Sequence, residues 1–272
     1  MNRPFSSRES PVLIKPPAVA GLFYPAQADQ LRRDVDAYLA EAPPRAGLIP
    51  RAMIVPHAGY VYSGPIAGSA YRQLSRLDHP VDRVVMLGPA HRVPVLGIAI
   101  HSADYFRTPL GDVPLDRGVL DSLLDFPFVH AMDHAFTQEH CLEVQLPFLQ
   151  QVLGDFSLAP LLVGQCGYRE VDQVLERIGG GPETLILVSS DLSHYHPYEE
   201  ARRMDADASR AIEALDPDRL QYEHACGCIP IGGLLLYARR HGLRALTLDR
   251  RNSGDTAGPR NQVVGYGAYV FV

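Results

Sequence analysis

Lysine is almost missing from this chain: Lys15 is the only one in 272 residues, and arginine supplies the rest of the positive charge. That skew reads as genomic bias and points to no function. Positive charge is not in excess either. The formal net charge is −6, so no basic field exists to hold nucleic acid or an anionic membrane. Cysteine is scarce, with four in the whole chain. A disulfide framework needs more, so Cys141, Cys166, Cys226 and Cys228 are expected to be reduced, buried or ligating. No apolar run approaches the roughly 18 residues that cross a bilayer. Residues 1–15 are polar and lack the apolar stretch of a secretory signal, so a cytoplasmic location is expected. There is no internal repeat, no low-complexity segment and no linker rich in Gly, Ser or charge.

What is present is a large stock of core-forming residues, 46% of the chain. Residues 1–17 read as a tail, because Pro11, Pro16 and Pro17 oppose regular structure. Leu31, Val35, Tyr38 and Leu39 share one face of a helix over 29–41, which Pro43-Pro44 ends. Strands are expected at 51–55, 83–87, 95–101, 157–163, 184–188, 244–248 and 263–272. Helices are expected at 64–77, 115–124, 138–153, 168–178, 198–214 and 230–240. Short apolar strands alternating with helices indicate an α/β fold. The expectation is one domain, 18–272, with a central mixed, mostly parallel sheet flanked by helices.

Three of these strands run into polar residues that could face a ligand. Residues 51–55 lead into Pro56-His57-Ala58-Gly59-Tyr60. Residues 83–87 lead into Gly88-Pro89-Ala90-His91. Residues 184–188 lead into Ser189-Ser190-Asp191-Leu192-Ser193-His194. Parallel sheets build their sites at the carboxyl ends of strands, so the three loops should converge on one crevice. A lone histidine after a strand is more often structural than a ligand, and two at equivalent strand ends bring the two readings level. Gly59 and Gly88 would let backbone approach closely. Cys226 lies in His224-Ala225-Cys226-Gly227-Cys228 just before an apolar helix. A helix N-terminus lowers a thiol's pKa and favours a ligand or nucleophile. The alternative is that Cys226 and Cys228 are small buried apolar residues. Glu139 and Glu143 are expected on one face at the start of the 138–153 helix, with His140 beside them. That pattern is not the His-Glu-x-x-His of a zinc protease, and it reads as a solvated helix start.

Taken in order, these motifs resemble the Memo family: the His57 and His91 loops, Tyr105 to Gly111, Glu139-His140 through Glu143 to Leu146-Pro147, Ser189-Ser190-Asp191 to His194, and Cys226-Gly227 with Pro230-Ile231-Gly232. The resemblance runs from about residue 18 to the C-terminus. It is closest to the prokaryotic members known as AmmeMemoRadiSam system protein B. It implies a fold similar to class III extradiol dioxygenases, which are non-haem iron enzymes with two histidines and one carboxylate as ligands. In Memo-like proteins a cysteine takes the carboxylate's place. The resemblance therefore implies His57, His91 and Cys226 as metal ligands, with Asp191 and His194 as catalytic positions. His194 falls where the dioxygenases keep an acid–base histidine. It also implies a functional link to a radical SAM protein and an AMMECR-type protein. Animal members carry a second histidine directly after the one matching His91, where this chain has Arg92, so no role carries over to that neighbour.

Two imidazoles and a thiolate are softer than two imidazoles and a carboxylate, which favours iron(II) or copper, with zinc also suited. Three protein ligands leave open positions, as catalysis requires. The expected function is a metal-dependent, dioxygenase-like oxidoreductase of unspecified substrate. Two alternatives stand beside it. One is a non-catalytic adaptor or signalling protein taking a small molecule or peptide in the crevice. The other is a zinc hydrolase with His194 or Asp191 as general base.

Overall fold

A computed structural model describes residues 11–43, 45, 47–77 and 79–272. Strand β1 (Ile14–Lys15) leads to helix α1 (Ala28–Glu41), strand β2 (Ala52–Val55) and helix α2 (Tyr60–Tyr71). Strands β3 (Arg83–Pro89), β4 (Ile98–Ile100), β5 (Tyr105–Thr108) and β6 (Gly111–Pro114) follow, then α3 (Arg117–Ser122), β7 (Val129–Ala131) and α4 (Leu146–Leu153). The chain continues through β8 (Ser157–Val163), α5 (Tyr168–Ile178), β9 (Thr184–Ser189), β10 (His194–His196), α6 (Tyr198–Glu213), α7 (Cys228–Arg240), β11 (Ala245–Asn252) and β12 (Val263–Phe271).

The strands of the sheet centre have no solvent face to keep polar. Every residue of β2 and β9 is buried, and β3 and β8 are buried except at their first residue. Such strands belong in the interior of a parallel sheet. They lie side by side in the order β2-β9-β3-β8, all parallel. Antiparallel neighbours flank this core, β12 beside β2 and β4 beside β8. The sheet is thus mixed, with four parallel strands at the centre, the edge strands β10 and β7 at its ends, and β7 parallel to β4.

Helices pack in groups, α1 with α2 and α4, and α5 with α7, while α6 lies on β11 and β12. In α1 the buried face is Leu31, Val35 and Leu39. Those three positions follow the helical period.

The parallel register decides where the loops go. Val55 lies opposite Ser189, Leu87 opposite Val188, and Pro89 opposite Val163. The segments after β2, β9, β3 and β8 therefore leave the sheet along one edge.

Several local expectations change. Ile14 and Lys15, placed in the tail by their prolines, pair in parallel with β5. Residues 1–10 of that tail, and Pro44, lie outside the described residues. The strand expected over 95–101 shortens to Ile98–Ile100, with Leu96 held only by an isolated bridge to Gln165. The helix expected from residue 138 begins at Leu146, after a single 3₁₀ turn at Glu143–Gln145. Pro147 suits that first turn, where its missing N–H costs no helical bond.

Candidate metal centre

Four strand ends deliver His57, Asp191, His91 and Gln165 to one side of the sheet. Cys226 reaches the same place from the turn before α7. The ligand atoms of His57, His91 and Cys226 all lie within 4.8 Å of one another. His57 Nε2 and Cys226 Sγ are 3.4 Å apart. Donors bonded to one metal at ~2.0–2.3 Å in tetrahedral geometry stand about 3.3–3.8 Å apart. The His57–Cys226 pair already meets that spacing, and the His91 ligand atom stands within 4.8 Å of both.

Hydrogen bonds fix which ring nitrogen of His57 is free. Ser189 Oγ donates its single proton to the Cys141 carbonyl at 2.6 Å. It accepts from Gln145 Nε2 at 2.8 Å. The Gln145 amide is itself oriented, because Nε2 donates to the Pro56 carbonyl and Oε1 accepts from Tyr71 OH. The 3.0 Å contact from His57 Nδ1 to Ser189 Oγ must then be donated by Nδ1–H. Nε2 is left with its lone pair, directed toward Cys226. Burial, and then the neighbouring His91 and His140, push the pKa of His57 well below the usual imidazole value. It is neutral and ligand-ready at physiological pH.

Glu139 does the same for His91. Its carboxylate accepts from His91 N at 2.7 Å, His91 Nδ1 at 3.0 Å, His140 N at 2.9 Å and Cys141 N at 3.2 Å. Burial tends to raise its pKa, but the hydrogen bonds from His140 and His91 and the nearby imidazole charge hold it well below the usual carboxylate range. An ionised Glu139 accepts a hydrogen bond from His91 Nδ1–H, which leaves Nε2 with its lone pair. The solvated helix start expected here is therefore wrong. Glu139 and Glu143 are both 3% exposed, and they face different partners. Glu143 receives Lys15 Nζ, the Ala18 and Val19 amides and Tyr24 OH, which ties the N-terminal segment to this loop.

His91, Glu139 and His140 form a second group of comparable spacing. Glu139 is already occupied by N–H donors there, so it serves as a hydrogen-bond partner. His140 stacks on His91 with ring centroids 5.0 Å apart and lies 5.4 Å from the His57 ring. Its Nδ1 sits 3.2 Å from Glu139 Oε1 but is not aligned for a hydrogen bond.

The Cys226 thiol is turned into the protein, near Ser190 Oγ and the Asp191 carbonyl, each at 3.7 Å. The lowered pKa expected from the helix N-terminus does not occur. Burial, and then the charge of Asp191, push the metal-free thiol up to about 12. The helix begins two residues later, at Cys228, and desolvation outweighs its end. Cys228 is buried and belongs to no metal-competent group among the described residues.

Asp191 accepts the His57 backbone N–H at 2.7 Å, and burial raises its pKa. It lines a cavity of about 550 Å³ together with His57, His91, His140 and His194. Phe23, Tyr62, Tyr195 and Tyr266 give that cavity aromatic walls. Asp191 and His194 thus share the crevice with the three candidate ligands without belonging to their group.

Gly88 earns its glycine: a Cβ there would stand 2.7 Å from Cys141 Sγ. Gly59 has no such need, since its nearest neighbour would be the Phe23 carbonyl at 3.6 Å. Glu139, His140, Ser189 and Gln145 were not assigned to the site from sequence. The adjacent Glu139-His140 pair was the one available signal.

The profile of Memo-like proteins matches residues 15–270. A MEMO1 family protein of Aquifex aeolicus is 35% identical over 270 residues, covering 95% of this chain and 99% of that protein. A MEMO1 family protein of Ignicoccus hospitalis is 35% identical over 286 residues, covering 96% and 99%. Among solved structures, uncharacterized protein JW3007 from Escherichia coli K12 superimposes with a TM-score of 0.52 at 13% identity, covering 80% of this chain and 98% of that one. That likeness concerns the fold.

Proposed function

The chain belongs to the family of Memo-like proteins, and on that premise we propose that it is a metal-dependent oxidoreductase, with iron(II) or copper held by His57, His91 and Cys226. The observation that carries the reading is the convergence of two imidazole nitrogens, each freed by a hydrogen bond on the opposite ring atom, with one thiol, all within 4.8 Å. When bound, the metal would supply electron transfer and polarise what fills its open positions.

The protein's own groups do the rest. Ser189 and Glu139 hold the two imidazoles in one tautomer and orientation. The His194 side chain makes no hydrogen bond with the described residues and opens on the cavity, where it can serve as the acid–base group. Asp191, buried beside it, is the charge that would stabilise a protonated His194. The aromatic walls give a bound substrate flat apolar surface to lie against. Four free thiols suit a reducing compartment, and we assign the protein to the cytoplasm.

Metal analysis of purified protein combined with oxygen uptake tests the reading. Iron or copper at one equivalent, with uptake stimulated by chelating compounds, is expected. Stoichiometric zinc without oxygen uptake would replace it with hydrolysis. A folded protein that takes up no metal would leave a ligand-binding protein.

A further inference from the structure

A second cavity, about 640 Å³, opens on the other side of the same centre and is walled by His91 and Cys226. It has different chemistry from the first. Its charged lining is Arg92, joined by the Gln165 amide and Tyr222, and no acidic residue lines it among the described residues. In a chain of formal charge −6, a cavity with a cation and no acid runs against the background. The Arg92 guanidinium makes no hydrogen bond or ion pair with the described residues, so its five N–H donors face no protein acceptor. The remaining walls are apolar, chiefly Val93, Val95, Val163 and Ile229.

We propose that this cavity is an anion subsite, in which Arg92 pairs with a carboxylate on a small ligand whose apolar body lies against the valines. One guanidinium and one amide match the planar, singly charged carboxylate, whereas a phosphate dianion calls for more donors. The loop carrying Arg92 is held in advance of any ligand. Ala90 N–H donates to the Val163 carbonyl at 3.0 Å, and Gln165 N–H to the Val95 carbonyl at 2.7 Å. Gly97 N–H donates to Gln165 at 3.0 Å, and Gly164 N–H to Gly97 at 2.9 Å. The approach is so close that a Cβ on Gly164 would lie 2.0 Å from the Val95 carbonyl. This fixed floor spares the ligand the cost of ordering the loop. Because His91 and Cys226 form the inner wall, the carboxylate-bearing end of a ligand would lie beside the metal. This last step, which makes the carboxylate part of the substrate, rests on the proposed metal function.

Benzoate titrated into EDTA-stripped protein, read by saturation-transfer NMR, tests the subsite without any metal. Benzoate should bind, and its neutral analogue benzamide should bind at least tenfold more weakly. Arg92→Ala should weaken benzoate at least tenfold, Arg92→Lys should retain part of the affinity, and Arg33→Ala on α1 should leave it unchanged. No benzoate binding to the wild type, unchanged affinity in folded Arg92→Ala, or tighter binding of inorganic phosphate would each overturn the subsite. In cobalt-loaded protein, saturating benzoate should shift the thiolate–cobalt absorption. An unshifted band would detach the subsite from the substrate role, and failure of cobalt to bind would count against the metal reading while leaving the stripped-protein result standing.

Discussion

Glu139→Gln is a one-atom change that should be felt at His91 Nε2, on the far side of the ring from the nitrogen it contacts. The wild-type carboxylate accepts four N–H groups, one of them His91 Nδ1–H at 3.0 Å. An amide keeps only one acceptor oxygen and turns an NH₂ group toward the remaining donors. If that NH₂ faces His91, the ring relieves the clash by moving its proton to Nε2, the atom that would bind metal. The ring must then shed or relocate that proton before ligation. Loss of such a supporting partner typically lowers metal affinity about 10–100-fold, equivalent to about 1.4–2.8 kcal/mol. Leaving buried N–H donors unpaired should cost a further ~1–3 kcal/mol of folding stability. The assay is competition for cobalt(II) or zinc against a chromophoric chelator at pH 7.5, with ¹⁵N-histidine spectra of the metal-free protein to read the tautomer. The expected result is weaker metal binding together with His91 passing from the Nδ1–H to the Nε2–H form. A folded variant that keeps its affinity within about threefold and His91 in the Nδ1–H form would refute the argument.

Cys226→Ser should lose far more metal affinity than Cys228→Ser, measured by metal content of proteins whose folding is checked by thermal melts. Because burial holds the metal-free Cys226 thiol up at about 12, ligation displaces its proton. Wild-type affinity should therefore rise about tenfold per pH unit near neutrality, and that thiol contribution should vanish in Cys226→Ser. His194→Ala should spare metal binding while His57→Ala abolishes it, and equal loss in both would remove the division between ligand and acid–base group. Burial pushes Asp205 up to about 6 from 3.8, so its contribution to stability is fully present below pH 3.8 and is lost as pH rises through about 6, a change of up to about 3 kcal/mol. Asp205→Asn, which keeps an acceptor for the Ser193 N–H, should gain stability at pH 7.5 and little at pH 4, read by urea unfolding, and an equal gain at both would contradict the linkage.

The parts of this molecule legible in its sequence are those governed by local pattern and by the sheet edge. Val84 to Leu87 and Leu185 to Val188 are continuous apolar runs, the pattern of strands covered on both faces in a parallel sheet. Once such strands are adjacent and parallel, the residue after each one must appear at the same edge, which is why His57, His91 and Asp191 could be grouped. The short strands β5, β6, β7 and β10 were not legible. Their two to four paired positions are set by neighbours distant in sequence rather than by any period of their own.

Glu139 and Glu143 show the deeper limit. A pair of acids four residues apart ahead of an apolar segment is what a solvated first helical turn looks like, and helix propensity favours that reading. Burying either carboxylate is unfavourable unless several donors meet it. Those donors come from residues 15–24 for Glu143 and from residues 91, 140 and 141 for Glu139. Only tertiary structure brings the first set within reach. For Glu139, the bond to His91 spans 48 residues. The ligands could thus be anticipated from strand ends, whereas the groups that orient them could not, because an orienting group is defined by its partner and carries no local signature. Read locally, the motif from Glu139 to Pro147 is a helix start, and its place in the order of motifs is explained by one carboxylate holding His91 and the other anchoring the N-terminal segment.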